Sequence, residues 1–150
     1  MRLMVTLDEA IELEERIRSC YTLLCKVAQD GIAEELRQLA REEKSHVNVL
    51  QTGKNFVVRT PRAFGQETVS DSEIRLGIKA AADLEEGLKA QKLEYSQALK
   101  KVYDLEKKYE RIHLNTAGEV RDYSLKKVFE ALARADAEHR QRLERLIARL

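Results

Sequence analysis

Apolar residues recur along this chain at steps of three and four, the spacing that lines up one side of a helix. The clearest row is Ile32, Leu36, Leu39, Glu43, His46, Leu50. It predicts a helix over residues 32–51 whose oily face is interrupted by an acid and a histidine three positions apart. An earlier row, Ala10, Glu14, Ile17, Tyr21, Leu24, Ala28, predicts a first helix capped at Thr6 or Asp8 and punctuated by Asp30-Gly31. A third helical stretch starts at a cap among Ser70, Asp71 and Ser72 and runs to about His113 without a proline. It is either one long helix or a crossover helix joined to the next bundle helix. Its second half carries Leu99, Val102, Glu106, Tyr109 and His113. After a loop at 115–119, a last helix is expected from Asp122 to the end, with the row Leu125, Phe129, Leu132, Asp136, His139, Leu143, Leu146, Leu150. Residues 52–71 hold the only proline and show no helical period. They read as a surface connection pinned by Phe56, Val57, Val58 and Phe64.

The two halves of the chain match each other. Ile11-Glu12-Leu13-Glu14-Glu15-Arg16 parallels Tyr103-Asp104-Leu105-Glu106-Lys107-Lys108. Leu39-Ala40-Arg41 with Glu43 and His46 parallels Leu132-Ala133-Arg134 with Asp136 and His139. Glu14 precedes His46 by 32 positions and Glu106 precedes His139 by 33, a difference that fits one residue of loop. A helical hairpin duplicated and packed on itself gives an all-α four-helix bundle with pseudo-twofold symmetry. The long crossover, 52–98, then contains an additional helical stretch.

Composition agrees and narrows the function. The 150 residues, 43% apolar and 35% charged, suit a single helical domain spanning 1–150. With 27 basic against 26 acidic residues there is no global attraction to nucleic acid or anionic lipid, and no basic block with interleaved aromatics. No segment has the apolar run of a signal peptide or a membrane span. Cys20 and Cys25 lie five apart on one helix, too far round it to bridge easily, so they read as reduced core thiols of a cytoplasmic protein. Their spacing is not that of a metal knuckle.

Six polar groups therefore project into one expected core: Glu14, Glu43, His46, Glu106, Asp136 and His139. Burying them is costly unless something pairs with them. Four carboxylates balance two divalent cations, and an imidazole completes each; oxygen and nitrogen ligands together suit iron or manganese. A lone buried histidine is usually a hydrogen-bonded core residue, but a symmetric pair among four in-row acids favours metal over a buried salt-bridge network.

This set, one acid from each of two helices and acid-x-x-His from the other two, resembles the ferritin-like di-iron proteins, a class whose ligand pattern is well described. Glu14 with Tyr21, followed by Leu-Ala-Arg-Glu-Glu-Lys-Ser-His, most resembles the rubrerythrin branch over residues 6–51 and 99–149. The resemblance implies a ferritin-like fold and two iron ions (Fe2+/Fe3+), with manganese or zinc as substitutes in a purified sample. It implies reduction of hydrogen peroxide or O2, with no catalytic residues beyond the metal site. It also implies a homodimer, helix-swapped if the 72–113 stretch reaches a neighbour. There are three departures. Asp136 replaces the usual Glu. No rubredoxin module is present, so electrons come from an external rubredoxin-like donor. His113 stands where the repeat places Tyr21, as an extra ligand or a neighbour of the ligands. Tyr21 and Tyr109 are read as core aromatics that also reach the metal carboxylates.

Glu85 competes with Glu106 for the third-helix ligand, because Ile74, Ile78, Ala81, Glu85, Leu88 also form a row. On one continuous helix the two acids lie roughly 30 Å apart, so only one can serve. The repeat selects Glu106. Two other functions fit the same sequence: a ferroxidase or iron-handling protein using the same ligands, and a metal-free helical interaction module. Glu42, off the row, is expected to face solvent.

Overall fold

A computed structural model of the chain describes residues 2–60 and 73–150. Among these residues the chain is all helix: α1 (Leu3–Cys25), α2 (Asp30–Arg59), α3 (Ile74–Lys89), α4 (Tyr95–Glu119) and α5 (Tyr123–Ile147). The expected hairpins are present, α1 packed on α2 and α4 on α5. They close through α1 against α4 and α2 against α5, so the four helices ring one core in the ferritin-like manner. Leu7, Leu13, Ile17, Leu36, Leu39, Leu99 and Phe129 are wholly buried there. Each such side chain contributes about 1.5–3 kcal/mol of burial free energy. No described helix is long and apolar enough to cross a membrane.

The additional helix α3 lies on the seam between α1 and α4. Gly77 allows the close approach. A Cβ there would stand 2.9 Å from Ile112 Cδ1 and 3.2 Å from Leu13 Cδ1.

Several boundaries differ from expectation. α1 starts at Leu3, with Arg2 at its N-cap; Thr6 is inside the helix, its hydroxyl donating to Arg2 O (3.3 Å). α2 continues through 52–59, which the sequence suggested was a loop. Thr52 Oγ1 donates to Asn48 O (3.0 Å), Lys54 pairs with Asp8 (2.6 Å) and Val57 is buried, so polar and apolar contacts together carry the helix two further turns. Of the expected pins among the described residues Val57 is buried, while Phe56 and Val58 are 48% and 55% exposed. Phe64 and the caps Ser70, Asp71 and Ser72 lie outside the described residues. α4 absorbs the expected loop at 115–119, because Thr116 and Ala117 are buried and Thr116 Oγ1 donates to Ile112 O (2.9 Å). Asp122 caps α5 as expected, accepting from Leu125 N (3.0 Å).

The described part of the expected 72–113 stretch, from residue 73, is two helices, broken at 90–94. Gln91 adopts φ 57°. Gln91 N donates to Leu88 O (3.1 Å) and Lys92 N to Gly87 O (3.0 Å), the paired bonds that close a helix on a left-handed residue. Gly87 leaves room for Leu93 to fold back, and Glu94 with Gln97 forms a capping box that starts α4. The stop signal was hidden because this left-handed position usually carries glycine. Gln91→Gly should therefore raise stability by about 1 kcal/mol, read as a higher urea midpoint at constant slope.

Candidate metal centre

Each ring helix contributes one fully buried carboxylate at mid-length: Glu14 from α1, Glu43 from α2, Glu106 from α4 and Asp136 from α5. They come together because each sits in the apolar row of its helix, and burying the rows forces the acids inward. Glu14, Glu43, His46 and Asp136 offer donor atoms all within 4.8 Å of one another; Glu43, Glu106 and His139 form a second such group. Glu43 belongs to both. Its repeat mate Asp136, one methylene shorter, belongs only to the first. The pseudo-twofold site is thus asymmetric, with four residues on one side and three on the other.

The imidazoles run between the acids. His46 Nδ1 donates to Glu43 Oε2 (3.2 Å) and lies 3.9 Å from Glu14 Oε2. His139 Nδ1 donates to Glu106 Oε1 (3.2 Å) and lies 2.9 Å from Glu43 Oε1. The two rings stack, 5.6 Å between centroids and 17° between planes. His46 is the more open of the pair, its side chain 14% exposed.

A second pair of contacts crosses the bundle. Tyr21 Oη donates to Glu106 Oε1 (2.6 Å), from α1 to α4. His113 Nε2 donates to Glu14 Oε1 (2.8 Å), from α4 to α1, and lies 3.6 Å from Asp136 Oδ2. Each residue follows its own helix's acid by seven positions, so the repeat is kept in geometry while Tyr becomes His. Tyr109 stands apart from this network: its hydroxyl donates to Gly77 O (3.4 Å) and fixes α3. Glu85 on α3 is also outside both groups, paired with Arg16 of α1 (3.4 Å) and with Lys89 of its own helix (3.1 Å).

Four acids in one dry space cannot all ionise. Burial, then the charges of Glu14 and Glu106, push Glu43 well above the carboxylate range. Burial and the charge of Glu106, followed by those of Glu14 and Glu43, do the same to Asp136. Burial also works against ionised Glu14, but hydrogen bonds from Glu43, His113 and His46 overcome it and hold Glu14 well below that range. Burial disfavours charged His46 and His139, yet the acids outweigh it. Glu14 and Glu43 raise His46 to about 10, and Glu106 and Glu43 raise His139 to about 11. Protons stand where cations of higher charge fit.

The donor chemistry fits a metal pair. Both oxygens of Asp136, Glu14 Oε2, Glu43 Oε1, Glu106 Oε2 and His113 Nδ1 are buried without a well-directed hydrogen-bond partner. Native cores leave few such atoms, and a cluster of them marks a place for ions. The set is all oxygen and nitrogen. The sulfur of Cys20 is turned away, donating to Ala81 O (3.6 Å), and both cysteines are free.

Sequence reasoning missed Glu42 and Arg142. Glu42 faces solvent only in part, its side chain 34% exposed: it accepts from Arg142 Nη1 (2.7 Å) and stands 3.5 Å from His139 Nε2. Nothing in the row of α2 marks it. Arg142 could have been found, because it follows His139 by three and shares its side of α5.

Two shared-ligand groups on a duplicated hairpin can be compared with known families. No curated protein and no solved structure matches the chain. The family model for rubrerythrin matches residues 6–147, a span that takes in every residue of both groups as well as Tyr21 and His113. The chain belongs to the rubrerythrin family.

Proposed function

We propose that this protein is a di-iron oxidoreductase that reduces hydrogen peroxide or O2. The observation that carries the reading is the cluster of buried, unpartnered carboxylate oxygens shared between two imidazoles. Glu14, Glu43, His46 and Asp136 would hold one iron, and Glu43, Glu106 and His139 the other. When bound, two ferrous ions supply the two electrons that, with two protons, convert one peroxide to two waters.

The chain's own residues set the conditions. Glu43 ties the halves together at one spacing. Tyr21 and His113 fix the outer acids Glu106 and Glu14 from across the bundle, so neither carboxylate swings freely. Burial, with the charges of Glu106 and Glu43, holds the Tyr21 phenol well above its ordinary pKa, so it keeps its proton and remains a donor to Glu106. Leu13, Ile17, Leu39 and Leu99 keep bulk water out. His46, the least buried group of the set, is the path for protons from solvent. An external electron donor would return the two electrons, and the chain would work as a homodimer.

Anaerobic loading with Fe2+ and titration with peroxide should oxidise two irons per peroxide, followed as a rising near-ultraviolet absorbance. Iron that stays ferrous under stoichiometric peroxide would overturn the reading.

A further inference from the structure

A net charge of +1 hides a division of charge between the two halves of the chain. On α4, Lys100, Lys101, Asp104, Lys107, Lys108 and Arg111 share the side of the helix that points away from Glu106. That face, about 16 Å long, holds five cations and one acid. The offset of 92 positions that carries Glu14 to Glu106 puts Asp8, Glu9, Glu12, Glu15, Arg16 and Ser19 at the matching places on α1. Equivalent faces of the duplicated hairpins therefore carry opposite charge.

The two faces also differ in how far their charges are already matched. Each acid of the α1 face is paired within the chain: Asp8 with Lys54 (2.6 Å), Glu9 with Arg75 (3.2 Å), Glu12 with Arg16 (3.5 Å) and Glu15 with Arg18 (3.3 Å). On α4, Arg111 pairs with Glu73 (3.2 Å), while Lys100, Lys101, Lys107 and Lys108 make no ion pair among the described residues. A second copy of the chain would offer an acidic face that is already neutralised, so the unpaired lysines call for acid from a different protein. Beside them, between α3 and α4, runs a groove of about 480 Å3. Leu84, Leu93 and Leu105 line it, Lys92, Lys101 and Lys108 stand along it, and Asp83 at its edge is held by Lys79 (3.1 Å). An apolar slot rimmed by unpaired cations suits an apolar side chain set in a carboxylate-rich surface. Nucleic acid fits less well, because the face carries no aromatic residue on which a base could stack.

We propose that the outer face of α4 docks an acidic protein that delivers electrons to the centre, a role that rests on the di-iron reading above. Glu106 projects from the opposite side of the same helix, so a donor seated on the lysines stands roughly one helix diameter, about 10–12 Å, from that ligand. Two donor molecules, each giving up one electron, restore the two that one peroxide consumes. The lysines steer the encounter, and the groove fixes how the partner sits.

The test uses the full chain and rubredoxin, a small acidic one-electron protein, as the probe. Binding is titrated without iron, at low salt and at about 1 M salt, where the Debye length shrinks to about 3 Å. Lys101→Glu with Lys108→Glu should weaken binding about tenfold or more at low salt, and the difference should vanish at high salt. Lys101→Gln with Lys108→Gln should give an intermediate loss. Lys26→Glu with Lys44→Glu, the same charge change at exposed positions of the α1–α2 hairpin, should stay within about twofold of wild type. Melting temperatures should match wild type throughout, since none of these lysines carries an ion pair among the described residues. With iron and peroxide present, two reduced rubredoxins should be oxidised per peroxide, more slowly in the α4 variants. Binding indifferent to the α4 lysines would overturn the proposal, as would an equal loss in the α1–α2 control. Tighter binding of a single-stranded oligonucleotide through the same lysines would overturn the choice of partner. Iron that stays ferrous under peroxide sinks the di-iron reading instead, a different result from oxidised iron whose reduction by rubredoxin ignores α4.

Discussion

Glu43→Ala should abolish binding of both metal ions, whereas Glu14→Ala and Glu106→Ala should each leave one. The asymmetry follows from reach. Glu43 Oε2 faces His46 at 3.2 Å and Glu43 Oε1 faces His139 at 2.9 Å, so its two oxygens are directed at different histidines. Glu14 and Glu106 each belong to one group only. Removing Glu43 takes a ligand from both and leaves the second group with Glu106 and His139 alone. Binding free energy at such sites comes from several ligands acting on one ion, so a two-residue remnant holds little. Metal counted after dialysis against excess Fe2+ checks this. A Glu43→Ala protein that retained both ions would show that the bridge is misassigned. The variant should stay folded, because burial and then the neighbouring acids disfavour the charged form of the carboxyl it loses, and one of its oxygens has no well-directed hydrogen bond.

The second large effect is on stability. An ion that binds only the folded chain, present at a thousand times its dissociation constant, adds about 4 kcal/mol per site. For a chain of this size each kcal/mol moves the melting temperature by roughly 2–4 °C, so one filled site should raise it by about 8–16 °C. The rise should depend on pH. His46 and His139, raised to about 10 and 11, hold protons at neutrality, and Glu43 and Asp136 are pushed in the same direction by burial and by neighbouring acids. Metal must displace those protons, so lowering the pH strengthens the competitor and raising it weakens the competitor. The metal-induced shift should therefore be larger at pH 8 than at pH 6. Calorimetric scans with and without Fe2+ at the two values read it directly, and a shift of the same size at both would contradict proton displacement.

The architecture was legible because burial and periodicity coincide. The rows through Leu36, Leu39 and Leu50 and through Phe129, Leu132 and Leu143 are buried as the spacing required. The repeat then placed Glu106 in the core ahead of Glu85, and Glu85 is held instead in ion pairs with Arg16 of α1 and Lys89 of α3. What failed were endings. The α3 stop depends on Gln91 in a backbone region that composition assigns to glycine, and the extension of α2 depends on Lys54 reaching Asp8 and on Val57 finding the core. These contacts exist only after the helices pack. The partial burial of Glu42 escaped for the same reason: its pairing with Arg142 spans 100 positions. His113 shows the opposite case. The seven-residue offset from Glu106 made it visible, although only the structure joins it to Glu14.

The centre stands or falls on whether metal sits on both sides of Glu43. Anomalous diffraction at the iron absorption edge, on crystals loaded anaerobically with Fe2+, answers that in one map. The account requires two peaks inside the bundle, one among Glu14, Glu43, His46 and Asp136 and one among Glu43, Glu106 and His139. A bundle core with no iron peak, in crystals whose solvent contains the ion, would contradict it.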